Sequence, residues 1–104
     1  MAVWEIVRIA VPEGKQEDFE AVVRRYLPAL QAERGCLDLR LLRATDREGV
    51  LLLCVEWESE EYHVEVFTET ETFAEFAGAM APYFVSPPET FHAEVVINGL
   101  ESAR

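Results

Sequence analysis

The first extended segment of the chain is apolar on both of its faces. Val3 to Val11 alternates as a strand does, with Val3, Glu5, Val7, Ile9 and Val11 on one side and Trp4, Ile6, Arg8 and Ala10 on the other. A strand with so little polar surface must be covered twice, by helices over one face and by something else, such as a second subunit, over the other. Pro12-Glu13-Gly14 then breaks the strand and introduces a helix.

From Lys15 to Glu33 the apolar residues Phe19, Val22, Val23, Tyr26, Leu27 and Leu30 recur at helical spacing, with Glu17 and Asp18 suited to the positive end of the helix dipole. Pro28 predicts a kink or an early end to this helix, and Gly35 predicts a left-handed stop. Cys36 to Thr45 alternates Leu37, Leu39 and Leu41 against Asp38 and Arg40. Across a turn at Asp46-Arg47-Glu48-Gly49 it forms a hairpin with the run Val50 to Glu58. Ser59 is a sound N-cap for a short helix reaching about Phe67. Thr68-Glu69-Thr70-Glu71 offers a capping box for a second helical piece with Phe73, Phe76, Ala77 and Met80 on its apolar face. Pro82 and Ser86-Pro87-Pro88 end that piece. Glu89 to Ile97 reads as a last strand, with Phe91, Ala93, Val95 and Ile97 opposed to Thr90, His92 and Glu94.

The order strand, helix, strand, strand, helix, strand predicts an α+β, ferredoxin-like βαββαβ fold over residues 1–104 as a single domain. Its four-stranded antiparallel sheet carries both helices on one face. The other face, bearing Trp4 and Ile6, predicts a homodimer packed sheet to sheet.

Charge narrows the partners. Residues 1–47 carry eight acids and eight bases, whereas residues 48–104 carry twelve acids and one base, so the net charge of −11 belongs to the second half. No basic stripe exists to displace counterions from phosphates or to seek anionic lipid, which argues against nucleic acid and membrane partners. Neither a signal peptide nor an apolar run near the ~18 residues of a membrane span is present, and a cytoplasmic protein is expected. Cys36 and Cys54 lack ligand spacing and read as buried thiols, so no metal site is expected. Phosphate loops, nucleophile elbows and zinc-protease motifs are absent.

The chemistry points to the end of the third strand. Antiparallel pairing of the first and third strands brings Glu5 close to Trp57, and the short helix after Ser59 would aim His63, Val66 and Phe67 at the same space. The expected pocket, between sheet and helices, is walled by Val7, Phe19, Val23, Tyr26, Leu53, Phe67, Phe73 and Phe76. Glu5, His63 and Tyr26 or Tyr62 are its few polar groups. Such a pocket suits a flat apolar or aromatic small molecule with an ionisable oxygen, whose proton His63 would take while Glu5 holds the imidazole. The same residues also admit a plainer arrangement, with Glu5 in solvent and His63 at the edge of the core. His92 reads as an exposed structural residue.

The segments Ile9-Ala10-Val11-Pro12-Glu13-Gly14-Lys15, Leu27-Pro28-Ala29-Leu30, Gly35-Cys36-Leu37 and Val55-Glu56-Trp57-Glu58-Ser59, in that order and spacing, resemble the antibiotic biosynthesis monooxygenase (ABM) domain family. The resemblance implies a dimeric α+β barrel with one pocket per subunit. It also implies kinship with cofactor-independent oxygenases of quinols or polyketide phenols, and with heme-degrading enzymes. Trp57 matches the pocket tryptophan of both groups. The asparagine and histidine of the heme-degrading members fall at Val7 and at Val66 or Phe67, so heme degradation is not implied. In the polyketide-oxidising members an asparagine stands where this chain has Leu53 and a tyrosine where it has His63. Many relatives also place a histidine near Val66, before a link one residue shorter than Thr68-Glu69-Thr70-Glu71. The implied activity is a monooxygenase that oxidises a quinol or phenol without a cofactor, with Trp57, His63 and Glu5 as its catalytic residues. The alternative is a non-catalytic dimer of the same fold that binds a small molecule.

Overall fold

A computed structural model describes residues 1–102. Strands β1 (Val3–Ala10), β2 (Cys36–Arg43), β3 (Val50–Trp57) and β4 (Glu89–Ala93) form one antiparallel sheet in the order β2-β3-β1-β4. Helix α1 (Gln16–Gln31) joins β1 to β2. Between β3 and β4 lie a π-helical turn (Tyr62–Val66), a 3-10 turn (Phe67–Glu69), α2 (Glu71–Met80) and a second 3-10 turn (Ala81–Tyr83). A short helix, α3 (Gly99–Ser102), follows β4. This is the ferredoxin-like α+β arrangement. No helix among the described residues is long and apolar enough to cross a membrane.

Strand alternation decides which residues meet the helices. Val3, Val7 and Ile9 of β1 and Leu51, Leu53, Val55 and Trp57 of β3 are buried against Phe19, Val23 and Leu30 of α1 and Phe67 and Phe76 of the second helical region. Paired on the opposite face are Ile6 with Cys54 and Phe91, and Leu52 with Leu42. There Phe91 and Leu42 are about half exposed, at 48% and 47%.

Several local expectations are corrected. Pro28 lies in the last turn of α1, which ends three residues later at Gln31, and its missing N–H removes a single bond there. Its carbonyl still accepts the N–H of Ala32 at 3.1 Å. Gly35 is not a left-handed stop, since positive φ occurs at Gly14 and Gly49 among the described residues. It is small because the ring of Tyr62 lies on it, and a Cβ there would come within 2.4 Å of that ring. β2 ends at Arg43 rather than Thr45, and a bulge between Cys36 and Asp38 turns Leu37 outward while Leu39 and Leu41 pack inward. The N-cap of α2 is Thr70, which accepts the N–H of Phe73 at 3.1 Å, rather than Thr68. β4 stops at Ala93, opposite Trp4, because β1 begins at Val3 and little strand remains to pair with. Val95, Val96 and Ile97 are therefore exposed. Cys36 and Cys54 are free and only partly buried.

Candidate active site

Four elements converge at the end of β3. Ser59 Oγ accepts the N–H of Tyr62 at 3.0 Å and starts the turn that follows the strand. That turn winds as a π-helix, in which the N–H of Phe67 reaches the carbonyls of both His63 and Tyr62. The wider turn brings Tyr62, His63 and Phe67 inward together and leaves Val64 and Val66 in solvent. The expectation that Val66 faces the pocket assumed α-helical spacing, and the extra residue in the turn overturns it.

Trp57, 1% exposed, is the hub. Its indole lies nearly parallel to the His63 imidazole, with ring centres 5.0 Å apart and planes at 10°, and packs on Phe67 at 4.7 Å. The indole N–H donates to Glu5 Oε1 at 3.0 Å, and His63 Nε2 lies 3.4 Å from the same oxygen. Antiparallel pairing accounts for the meeting: Val3 is opposite Trp57, so Glu5 stands one inward position away. Glu5 is also the cross-strand neighbour of His92, whose Nε2 is 2.8 Å from His63 Nδ1. His92 is thus half-buried and bonded within the site rather than an exposed structural residue. The sequence signal that could have found it is its position in β4, inward with Thr90 while Phe91 turns to the opposite face.

Glu5, His63 and Trp57 border a cavity of about 240 Å³ between sheet and helices. Val7, Leu53, Phe67, Phe73 and Phe76 share its wall, as do Leu30, Ala77, Met80, Phe84 and Thr90, which sequence reasoning did not place there. Four expected wall residues lie elsewhere. Phe19 is fully buried in the core, edge-on to Tyr83 at 5.9 Å, and Val23 lies farther along α1 against the core. Tyr26 stands behind Phe76, their rings 5.4 Å apart. Tyr62 packs on Trp57 but turns its hydroxyl to Glu33, 2.6 Å away. A larger hollow of about 470 Å³ runs between α1 and β2, walled partly by Glu20, Arg24 and Arg43, and is remote from this cluster.

The sequence profile described as antibiotic biosynthesis monooxygenase matches residues 2–79. The chain belongs to that family. A Bordetella bronchiseptica structure provisionally named as such a monooxygenase is 30% identical and superposes with a TM-score of 0.86, covering 92% of this chain and 98% of the other. SnoaB of Streptomyces nogalater, a cofactor-independent oxygenase solved as a point mutant, shares the fold at 18% identity. Its TM-score is 0.79 over 93% and 95% of the two chains. The uncharacterised protein YczJ of Bacillus subtilis is 26% identical over 92 residues, which are 88% of this chain and 97% of YczJ.

In this ABM-family chain, burial holds the His63 pKa below its ordinary value. Glu5 pulls it upward, His92 pushes it down and Glu60 pulls it upward, without reversing the effect of burial. Below pH ~6.5 the unfolded chain takes up a proton that the folded His63 resists, so this contribution is complete above that pH and is lost as pH falls toward the folded pKa. One such group gives a slope of at most about 1.4 kcal/mol per pH unit. Urea unfolding from pH 8 to about pH 5 should show a steeper loss for the parent than for His63→Phe, and parallel curves would contradict the assignment.

Proposed function

We propose that the chain is a cofactor-independent monooxygenase that oxidises a small quinol or phenol. The observation that carries this reading is His63, buried flat against Trp57 at the cavity wall with Glu5 at its Nε2. His63 takes the phenolic proton at Nε2, and Glu5, fixed by the indole N–H, accepts the N–H so formed. Apolar walls keep water from the resulting anion, so its electron density stays available to oxygen. One oxygen atom enters the ring as a carbonyl and the other leaves as water. A phenol with a free para position thereby becomes a quinone, and the substrate supplies every electron. The cavity, about 240 Å³, is smaller than the ~300 Å³ at which common ligand sites begin, and favours one or two fused rings over larger polyketides. Oxygen uptake by the purified protein on benzoquinols and naphthols is the test: turnover above the spontaneous rate is expected, and none on any of them would reject the reading.

A second reading, a binding protein without turnover, draws on the mutual bonding of the cavity's polar groups, Glu5 to Trp57 and His63 to His92. Under it, naphthols bind and quench Trp57 fluorescence while oxygen uptake stays at background.

Two copies are proposed to pack through the face bearing Ile6, Leu42, Leu52, Cys54 and Phe91, an apolar surface that the chain's own helices leave bare. Sedimentation equilibrium is expected to give a dimer, and a monomer at micromolar concentration would contradict it.

A further inference from the structure

His63 is almost closed off from water, at 7% exposure, and its environment disfavours the imidazolium. A proton taken up there needs a route out. The site contains a way out. His63 Nδ1 touches His92 Nε2 at 2.8 Å, and His92 also lines a separate, open surface hollow with Glu60 and Glu94 that shares no wall residue with the cavity. From this geometry we infer that His92 is a proton relay, connecting His63 in the substrate cavity to the acidic surface hollow at Glu60 and Glu94. The inference rests on the oxygenase reading for its purpose but not for its test.

The protons balance without a charged intermediate on His63. At the start His63 carries its proton on Nδ1 and donates it to His92 Nε2, while His92 carries its own proton on Nδ1. As a substrate hydroxyl gives its proton to His63 Nε2, the Nδ1 proton passes to His92 Nε2, and His92 releases its Nδ1 proton to water. Both rings end neutral with their protons on Nε2. His63 then donates toward Glu5, which as a carboxylate can only accept, and its Nδ1 accepts from His92. Ring flips or the reverse transfer restore the first state. The groups facing the pair are Glu5 from β1 and Glu60 from the start of the turn after β3. Both are acids that favour a proton in transit.

Only two histidines occur in the chain, so nitrogen-15 NMR resolves each imidazole. The experiment is the exchange of the His63 ring N–H with solvent in the parent, in His92→Gln, which hydrogen-bonds but cannot pass a proton, and in His92→Ala with and without free imidazole. Backbone amide spectra establish that the variants are folded. Exchange should slow by about a hundredfold in both variants, the lower range of what a positioned proton carrier contributes. Free imidazole should restore it in His92→Ala. Unchanged or faster exchange in His92→Gln would overturn the relay, since His92 would then be a bystander or a lid. Oxygen uptake on naphthols separates the two claims. If the parent oxidises none, the oxygenase reading fails while the exchange rates still decide the relay. If it does oxidise them, His92→Gln should lower kcat with KM kept and make the rate depend on buffer concentration.

Discussion

Trp57→Ala should destabilise the protein by about 3–5 kcal/mol, the range for emptying a large aromatic from a packed core. Domains of this size are stable by only about 5–15 kcal/mol, so much of the margin disappears. Packing is one reason: Trp57 is 1% exposed and touches the rings of Tyr62, His63 and Phe67. The other is polar, because the indole N–H is the direct donor to a Glu5 side chain that is only 14% exposed. Trp57→Phe separates the two. It keeps most of the ring contact, removes the donor and should cost about 1–3 kcal/mol, the usual penalty for orphaning a buried acceptor. Urea midpoints measure both. A loss under about 1 kcal/mol for Trp57→Ala would show that the indole is peripheral to the fold.

On a substrate that the parent oxidises, His63→Ala should lower kcat/KM by about 10²–10⁴-fold, the contribution of a positioned general base. Truncation also removes a ring from the Trp57 and Phe67 stack, so activity could fall merely because the cavity collapses. His63→Phe controls for that by restoring a flat ring without a proton acceptor. It should regain melting temperature but no turnover. Recovery of the rate in His63→Phe would show that the site needs an aromatic wall and not a base, and would move the proton step elsewhere. Raising pH above the pKa of the phenol should rescue both variants partially, because solvent then supplies the anion.

Much of this architecture was legible because period-two and helical patterns depend on burial alone. Glu5 and Trp57 could be placed together from the antiparallel pairing of β1 and β3. With Trp57 set inward beside Glu5, the two-residue period of a strand carries Leu51, Leu53 and Val55 inward with it. What was not legible depended on register and turn type. The last strand reads with Phe91 and His92 on opposite faces and His92 exposed. The bare sheet face is apolar as well, so the pattern has no unique answer there: Thr90 lines the cavity, His92 meets His63, and Phe91 lies on the bare face. Phe19, Val23 and Tyr26 belong to the core under α1, and periodicity cannot say how far along a helix a cavity extends. Gly35 answers to the ring of Tyr62, a contact 27 residues away that no local turn rule contains.

The π-helical turn at Tyr62–Val66 has one more implication. Whether an imidazole meets the indole here depends on how many residues the turn contains before it depends on which residues they are. Losing Val64, Glu65 or Val66 would tighten the winding toward an ordinary α-helix and change which of Tyr62, His63 and Phe67 face Trp57 together, with every side chain of the cluster still encoded. The set of rings packed on the indole can therefore be altered by a single-codon deletion that replaces none of them.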